Sequence, residues 1–361
     1  MIVASFKLLD FDVPEPEIPI EITCTETQES PDWDEFLNKS PEASFYQLAG
    51  WQIINRKHFG HRTFMLSAKQ NGKVVGVFPL VFINSKLFGK ILSSMPFVNF
   101  GGPCAERPDI ERSLLKYAES LTLELDCDYM EVRAKKLIDE TLPTATNKIS
   151  MTINLDSDPD VLWNNYASKH RTNIRRVYKN GLTVNSGGIE LLDTFYSLLC
   201  HSWRDLGTPI YAKRYFREIF EQFDHKVRIF VCYQGKQPIA TAFNGLYKGT
   251  VEGMWAAALS EARKLQPNYV LYWEMIKHAC ENGFQHFHLG RSSVDSGGEQ
   301  FKKKWKAEQT QLYWQYYLNN SMDMPQLNVN NPKYQIAINL WRKLPVPVTT
   351  LIGPPLARNI P

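Results

Sequence analysis

Apolar residues between positions 62 and 83 fall into two strand-like runs, RTFMLSAKQ (62–70) and KVVGVFPLVFI (73–83). Asn71-Gly72 separates them, and that dipeptide between apolar runs predicts a tight hairpin. Upstream, Ser30-Pro31 reads as a helix cap followed by proline at the first helical position, opening a short helix to Asn38. The stretch 46–59 has the spacing of an amphipathic helix. Downstream, KILSSM (90–95) reads as a strand and FGGPC (100–104) as a glycine-rich bend. Helical periodicity then covers 109–126, with strands expected over 128–134 and 150–155.

The same order returns in the second half. Helices are expected over 159–180, 190–205 and 212–223. Strands follow over 227–234, 237–247 and 251–259, then a helix over 268–283 and a strand over 284–291 ending in Arg291. AKQNGKVVGVFPL aligns with CYQGKQPIATAFN, and DYMEVRA, carrying Arg133, aligns with HFHLGRS. Recurrence at an offset of about 160 residues predicts two similar α/β (α+β) lobes, each a mixed, mostly antiparallel sheet flanked by helices. The boundaries expected are an N-terminal arm over 1–25, with PEPEIP (14–19) extended, a first lobe over 26–157, a second over 158–320 and a tail over 321–361. The tail segment 338–360 is apolar, broken by prolines and too short to span a bilayer. It reads as a strap over the lobes or a peripheral membrane contact.

Composition narrows the function. The 361 residues carry a net charge of only +3, so attraction to anions must be local. Six scattered cysteines contain no C-x-x-C pair, which argues against zinc and thioredoxin-like chemistry. His286 and His288 share a strand face but lack a third ligand in the sequence, so no metal is expected. With no signal pattern at the start and no apolar run of 18 residues, a cytoplasmic location is expected, at most at the inner face of the membrane.

Positive charge concentrates in SKHRTNIRRVYKNGL (168–182), which holds Lys169, Arg175 and Arg176, with no acidic residue from 168 to 188. As a helix it places Arg171, Arg175 and Lys179 on one stripe and Ile174 and Val177 on another. Such a ridge either solvates itself or meets an anion. A second basic cluster, FKKKWKAE (301–308), includes Lys302 and follows Arg291 and Ser292 at a strand end. These clusters are expected to converge on one phosphate-bearing ligand. Tyr211, Arg214, Asn268 and Tyr272 complete the candidate binding set, with Tyr272 and Glu274 as catalytic candidates. Trp255 reads as core rather than as a platform for a sugar. Arg133 reads either as a cation capping its sheet or as a functional group.

The segment KHRTNIRRVYKNGL resembles a helix of the Fem family of aminoacyl transferases and of related acetyltransferase-like proteins of polysaccharide gene clusters. FYQLAGWQIINRKHF and the stretch that follows through FGGP, LGTPIYAKRYF, NYVLYWEMIKHACENGFQHFHLGRS, FKKKWKAE and GPPLAR are similar to the FemAB-type proteins of exosortase (PEP-CTERM) systems. The resemblance implies two tandem GNAT-like lobes and acyl or aminoacyl transfer onto an exopolysaccharide or cell-envelope precursor. The donor would be acyl-CoA or aminoacyl-tRNA, and the acceptor a saccharide or lipid-linked precursor. ARKLQPNYVLYWEMI (262–276) lacks the glycines with which GNAT acetyltransferases cradle a pyrophosphate, so a donor would be held by side-chain cations. Two further classes fit the same residues: a non-catalytic GNAT-fold scaffold, and RNA binding through the basic helix.

Overall fold

The computed structural model describes residues 19–26, 31–86, 88–319, 324–325 and 332–360. In chain order the strands are β1 (Glu21–Thr25), β2 (Arg62–Gln70), β3 (Lys73–Ser85), β4 (Gly89–Ser93), β5 (Cys104–Ala105), β6 (Tyr129–Ala134), β7 (Thr144–Ala145) and β8 (Lys148–Asn154). The second half adds β9 (Leu182–Gly187), β10 (Val227–Gln234), β11 (Gln237–Tyr247), β12 (Thr250–Ala258), β13 (His286–Ser293), β14 (Glu308–Gln311) and β15 (Tyr313–Leu318). They build two sheets. One runs β1-β2-β3-β4-β6-β15-β7, with β5 against β3, and the other runs β9-β10-β11-β12-β13-β8-β14.

The two orders correspond position by position. In each, a hairpin (β2–β3, β10–β11) leads to a third antiparallel strand (β4, β12). A helix follows (Pro108–Glu124, Asn268–Glu281), and the next strand (β6, β13) returns parallel. The first hairpin turn has φ of 51° at Asn71 and 75° at Gly72, the positive pair that a two-residue hairpin loop requires.

The sixth place is exchanged between the halves of the chain, while the seventh, β7 and β14, stays in its own sheet. The strand expected to end the first lobe is β8, and it lies in the second sheet between β13 and β14. Conversely, β15 lies in the first sheet between β6 and β7. The stretches β7–β8 and β14–β15 cross side by side, pairing Gln311 with Ile149 in one sheet and Trp314 with Ala145 in the other. Leu312, fully buried, marks the crossing. Without the exchange, β6 and β13 would be exposed sheet edges. A cut at 157 therefore leaves each half missing one strand of its own sheet. Residues 21–25, expected in the arm, instead pair with β2 as β1. Ser30 and nearly all of PEPEIP lie outside the described residues.

Two helices differ from their expected form. The stretch 159–180 is two helices, Pro159–Asn165 and Ser168–Lys179, broken where Tyr166 takes ψ of 148° and buries its ring against Trp273 and Trp305. The stretch 46–59 becomes a short turn, a helix over Ala49–Ile54 and a wider turn over Asn55–Phe59.

The largest apolar core lies between the sheets and draws on both lobes, with Trp33, Trp51, Phe195, Phe216 and Tyr316 among its members. Helix Ala49–Ile54 meets helix Lys213–Phe223 there. Gly50 permits the approach, since a Cβ at that position would come within 2.6 Å of Gln222 Cγ. The tail forms helices Pro332–Lys343 and Val346–Ala357, both packed on helix Leu192–Leu206, with Gly353 against Ile210.

Candidate active site

β12 and β13 pair only at Thr250–His286, Val251–Phe287 and Glu252–His288, and then separate. On β12 the register against β11 shifts so that Met254 has no partner. On β13 Gly290 takes φ of 76°, and the register against β8 shifts between His288 and Arg291. The vertex needs small residues: a Cβ on Gly290 would lie 2.9 Å from the Gly253 carbonyl, and one on Gly253 3.0 Å from the His288 carbonyl. Beyond the vertex opens a cavity of about 330 Å³. Its walls are Gly253 to Ala256 of β12, Leu289 to Arg291 of β13, Tyr272 and Met275 of the following helix, and Trp203 and Tyr211. The first lobe closes it with Tyr46 and Phe97 to Asn99. Asn99 ties the lobes together, donating from Nδ2 to Tyr46 Oη (2.7 Å) and to the Gly253 carbonyl (3.3 Å).

The electrostatics of this cavity are cationic. Burial, and then the nearby Arg133, push the Arg291 guanidinium down to about 10. Arg133 and Arg291, the matched strand-end residues of the repeat, both stack on Trp314, at 4.4 and 5.3 Å from its ring. Arg133 pairs with Glu131 at 2.6 Å, and Glu131 also accepts from Tyr316 Oη at 3.1 Å. Arg291 Nη1 is buried without a hydrogen-bond partner among the described residues. Lys148 is held below its usual range by burial and then by Arg291 and Arg133. Three cations thus lie close to one another beside the cavity, with Glu131, among the described residues, ion-paired to Arg133 alone, an excess of charge that a bound anion would neutralise.

A second polar group lies at the vertex. Glu252 and His288 stand opposite each other on the parallel strands, both buried, with His288 Nδ1 2.7 Å from Glu252 Oε2. The Tyr46 hydroxyl hydrogen-bonds to Glu252, and burial followed by that carboxylate's charge drives the phenol well above its ordinary range.

Of the residues singled out from sequence, Arg291, Tyr211 and Tyr272 line this cavity. Burial pushes both tyrosines up to about 12. Lys302 is close by but turned inward: its ammonium donates to the carbonyls of Gly290 (2.7 Å) and Arg291 (2.9 Å), so it pins the strand end. Ser292 is buried one residue beyond Arg291. Glu274 accepts from Tyr178 of the basic helix, on another side of its helix from Tyr272 and Met275, so its carboxylate serves packing. Arg214 pairs with Glu218 at 2.8 Å on helix Lys213–Phe223, whose other carboxylate oxygen meets His58 at 3.0 Å.

The expected convergence of both basic clusters on one pocket does not occur. Helix Ser168–Lys179 buries His170, Ile174 and Val177 and packs along helix Asn268–Glu281, which leaves Lys169, Arg175 and Arg176 exposed outside the cavity. Arg175 lies over Trp163 at 5.2 Å. Arg176 instead donates to Gln266, just before Asn268 opens that helix. Lys304 Nζ reaches Tyr269 Oη at 3.5 Å in the same first turn, and Arg263 and Lys264 are exposed in the preceding turn Ser260–Leu265. A cationic collar therefore surrounds the first turn of the helix whose second turn presents Tyr272 to the cavity.

Glu252, Asn99, Tyr46 and Trp203 were not anticipated as site residues. A signal existed for two of them: Glu252 is an acid inside an apolar strand, VEGMWAAA, and Asn99 sits in the apolar bend FVNFGG. Trp255, read as core, packs on Phe216 and Phe243 and also lines the cavity.

Paired lobes with a splayed parallel strand pair define a tandem GNAT fold. Residues 168–303 match the family model described as an acetyltransferase (GNAT) domain. No curated protein sequence matches the chain. Among solved structures, the chain is similar to FemX, with a TM-score of 0.61 and 15% identity over 87% of this chain and 100% of that one. It is also similar to the C-terminal domain (DUF2156) of a putative lysylphosphatidylglycerol synthetase from Agrobacterium fabrum, with a TM-score of 0.55 and 11% identity over 80% and 92% of the two chains. A tandem GNAT protein from the clavulanic acid biosynthesis pathway matches with a TM-score of 0.51 and 11% identity over 84% and 100%.

Proposed function

We propose that the protein is an acyl or aminoacyl transferase whose acceptor, a saccharide or envelope precursor, occupies the cavity between the lobes. The observation that carries this reading is the splayed β12–β13 vertex opening onto a cavity lined by the half-buried Arg291, whose Nη1 is buried and, among the described residues, unpaired. Trp203, Tyr211 and Trp255 offer ring faces suited to a sugar. Arg291 would hold an anionic group of the acceptor, carboxylate or phosphate.

In the reaction the acceptor amine or hydroxyl attacks the acyl carbon and the donor's thiol or ribose oxygen departs. The unpaired backbone of β12 around Met254 lies where N–H groups can meet the developing oxyanion. Glu252, through Tyr46 or water, takes the proton from the acceptor. The collar of Arg176, Arg263, Lys264 and Lys304 suits donor phosphates, of acyl-CoA or of tRNA, in place of a glycine cradle.

The test is transfer of label. The purified protein is incubated with labelled acyl-CoAs or charged tRNAs and an extract of lipid-linked and saccharide acceptors. Label on the acceptor, lost in Arg291→Met and in Glu252→Gln with the fold intact, supports the reading. Binding without transfer from any donor refutes it and favours a scaffold.

A further inference from the structure

The last helix is built inside out. In Val346–Ala357 the buried positions are the small residues Thr349, Gly353 and Ala357, at i, i+4 and i+8. The large apolar residues point outward: Leu351 is 77% exposed, and Val348, Ile352 and Leu356 each about two-fifths. On the neighbouring helix Pro332–Lys343, Ile336 and Leu340 stand one turn apart, 63% and 61% exposed. Among the described residues nothing covers this face, and apolar patches of this kind mark contact surfaces.

Charge selects the partner. From 324 to 361 the chain contains Lys333, Arg342, Lys343 and Arg358 and no aspartate or glutamate. Arg342, Lys343 and Arg358 are exposed on or at the end of these helices, and cations beside exposed apolar residues complement a surface that is negative above and apolar below, namely a bilayer of anionic lipid. The second helix has 12 residues, about 18 Å at 1.5 Å per residue, and cannot cross a core of about 30 Å. It would lie in the interface plane.

We infer that this C-terminal face docks the protein onto anionic membrane. The face is joined directly to the candidate site. Gly353 abuts Ile210, the neighbour of the cavity residue Tyr211. The Arg358 carbonyl is 2.9 Å from His61 Nε2, and the His61 ring stacks on Phe97 of the cavity wall. Docking brings the cavity to the lipid surface, where an acceptor on a lipid carrier resides. That last point rests on the proposed transfer reaction; the docking itself does not.

Vesicle flotation of the full chain tests it without donor or acceptor. Vesicles of phosphatidylcholine with phosphatidylglycerol should carry the protein up the gradient. Phosphatidylcholine alone should carry much less, and added salt should weaken the binding. Leu340→Glu and Leu351→Glu should each lower vesicle affinity by about tenfold or more, with unchanged circular dichroism. Leu123→Glu, on an exposed residue of the first lobe, should leave binding unchanged. Failure to float, or flotation indifferent to both leucine substitutions, overturns the proposal. So does a dimer in sedimentation that either leucine substitution dissociates, because the face would then belong to a second copy. Transfer to a detergent-soluble acceptor should survive Leu351→Glu, which keeps a failure of docking separate from a failure of the transfer reading.

Discussion

Replacing Arg291 by methionine should stabilise the fold while removing its function. In the folded protein the guanidinium falls from its ordinary 12.5 to about 10, through burial first and Arg133 second. At roughly 1.4 kcal/mol per pH unit this corresponds to about 3 kcal/mol of unfavourable charge burial at neutral pH. Arg291 is only half-buried, and solvent screening reduces the figure to about 1–2 kcal/mol. Loss of the contact with Trp314 takes back about 0.5–1 kcal/mol. The net is a gain of up to about 1 kcal/mol, or roughly 1–2 °C in Tm for a chain of this size. If Arg291 grips an anionic substrate, the same change costs about 2–5 kcal/mol of binding, a fall in kcat/KM of roughly 30- to several-thousand-fold. Thermal unfolding and labelled-acceptor transfer are measured on the same preparation. A variant that is less stable yet active, or one that loses stability and activity together, would refute the reasoning, because Arg291 would then be structural.

Glu252→Gln keeps the shape of the vertex but cannot take a proton, so kcat should fall about a hundredfold or more with KM little changed. Arg176→Glu combined with Lys304→Glu should raise donor KM about tenfold and flatten its salt dependence, with kcat nearly intact, as read from steady-state kinetics at several ionic strengths. His170, wedged between Tyr166 and Trp305, is pushed down to about 4 by burial and then by Lys304. Its neutral form therefore supports the fold above about pH 6.5, and that support is lost as pH falls from there through 4. His170→Phe should remove this part of the acid limb, and chemical denaturation at pH 7 and pH 4.5 would show the stability gap narrowing.

How far the site could be read depends on which residues are considered. Arg291, Tyr211 and Tyr272 were legible because each sits at a strand end, after a turn or on an amphipathic helix, where local pattern signals exposure to a cleft. Glu252 and Asn99 stood out as polar residues in apolar segments, but nothing local tells a buried functional polar residue from one bonded within the core. The two basic clusters were visible but their geometry was not. Lys302 belongs to a run of lysines that composition reads as one surface, yet its chain folds inward and its ammonium satisfies two carbonyls. Glu274 looked catalytic from helix position alone, and its partner Tyr178 lies 96 residues away in sequence.

What the sequence by itself determined is the repeated hairpin–strand–helix–strand order, the positive turn at Asn71-Gly72, the basic helix with its apolar stripe and the matched arginines at two strand ends. Periodicity and turn chemistry are local, so they survive in one dimension. Three-dimensional packing alone set that each sheet borrows one strand from the other half, that Arg133 and Arg291 meet across Trp314, and that β12 and β13 part to open a cavity. Those features depend on which strand covers which edge and on the space left between side chains distant in the chain, and a linear pattern carries no record of either.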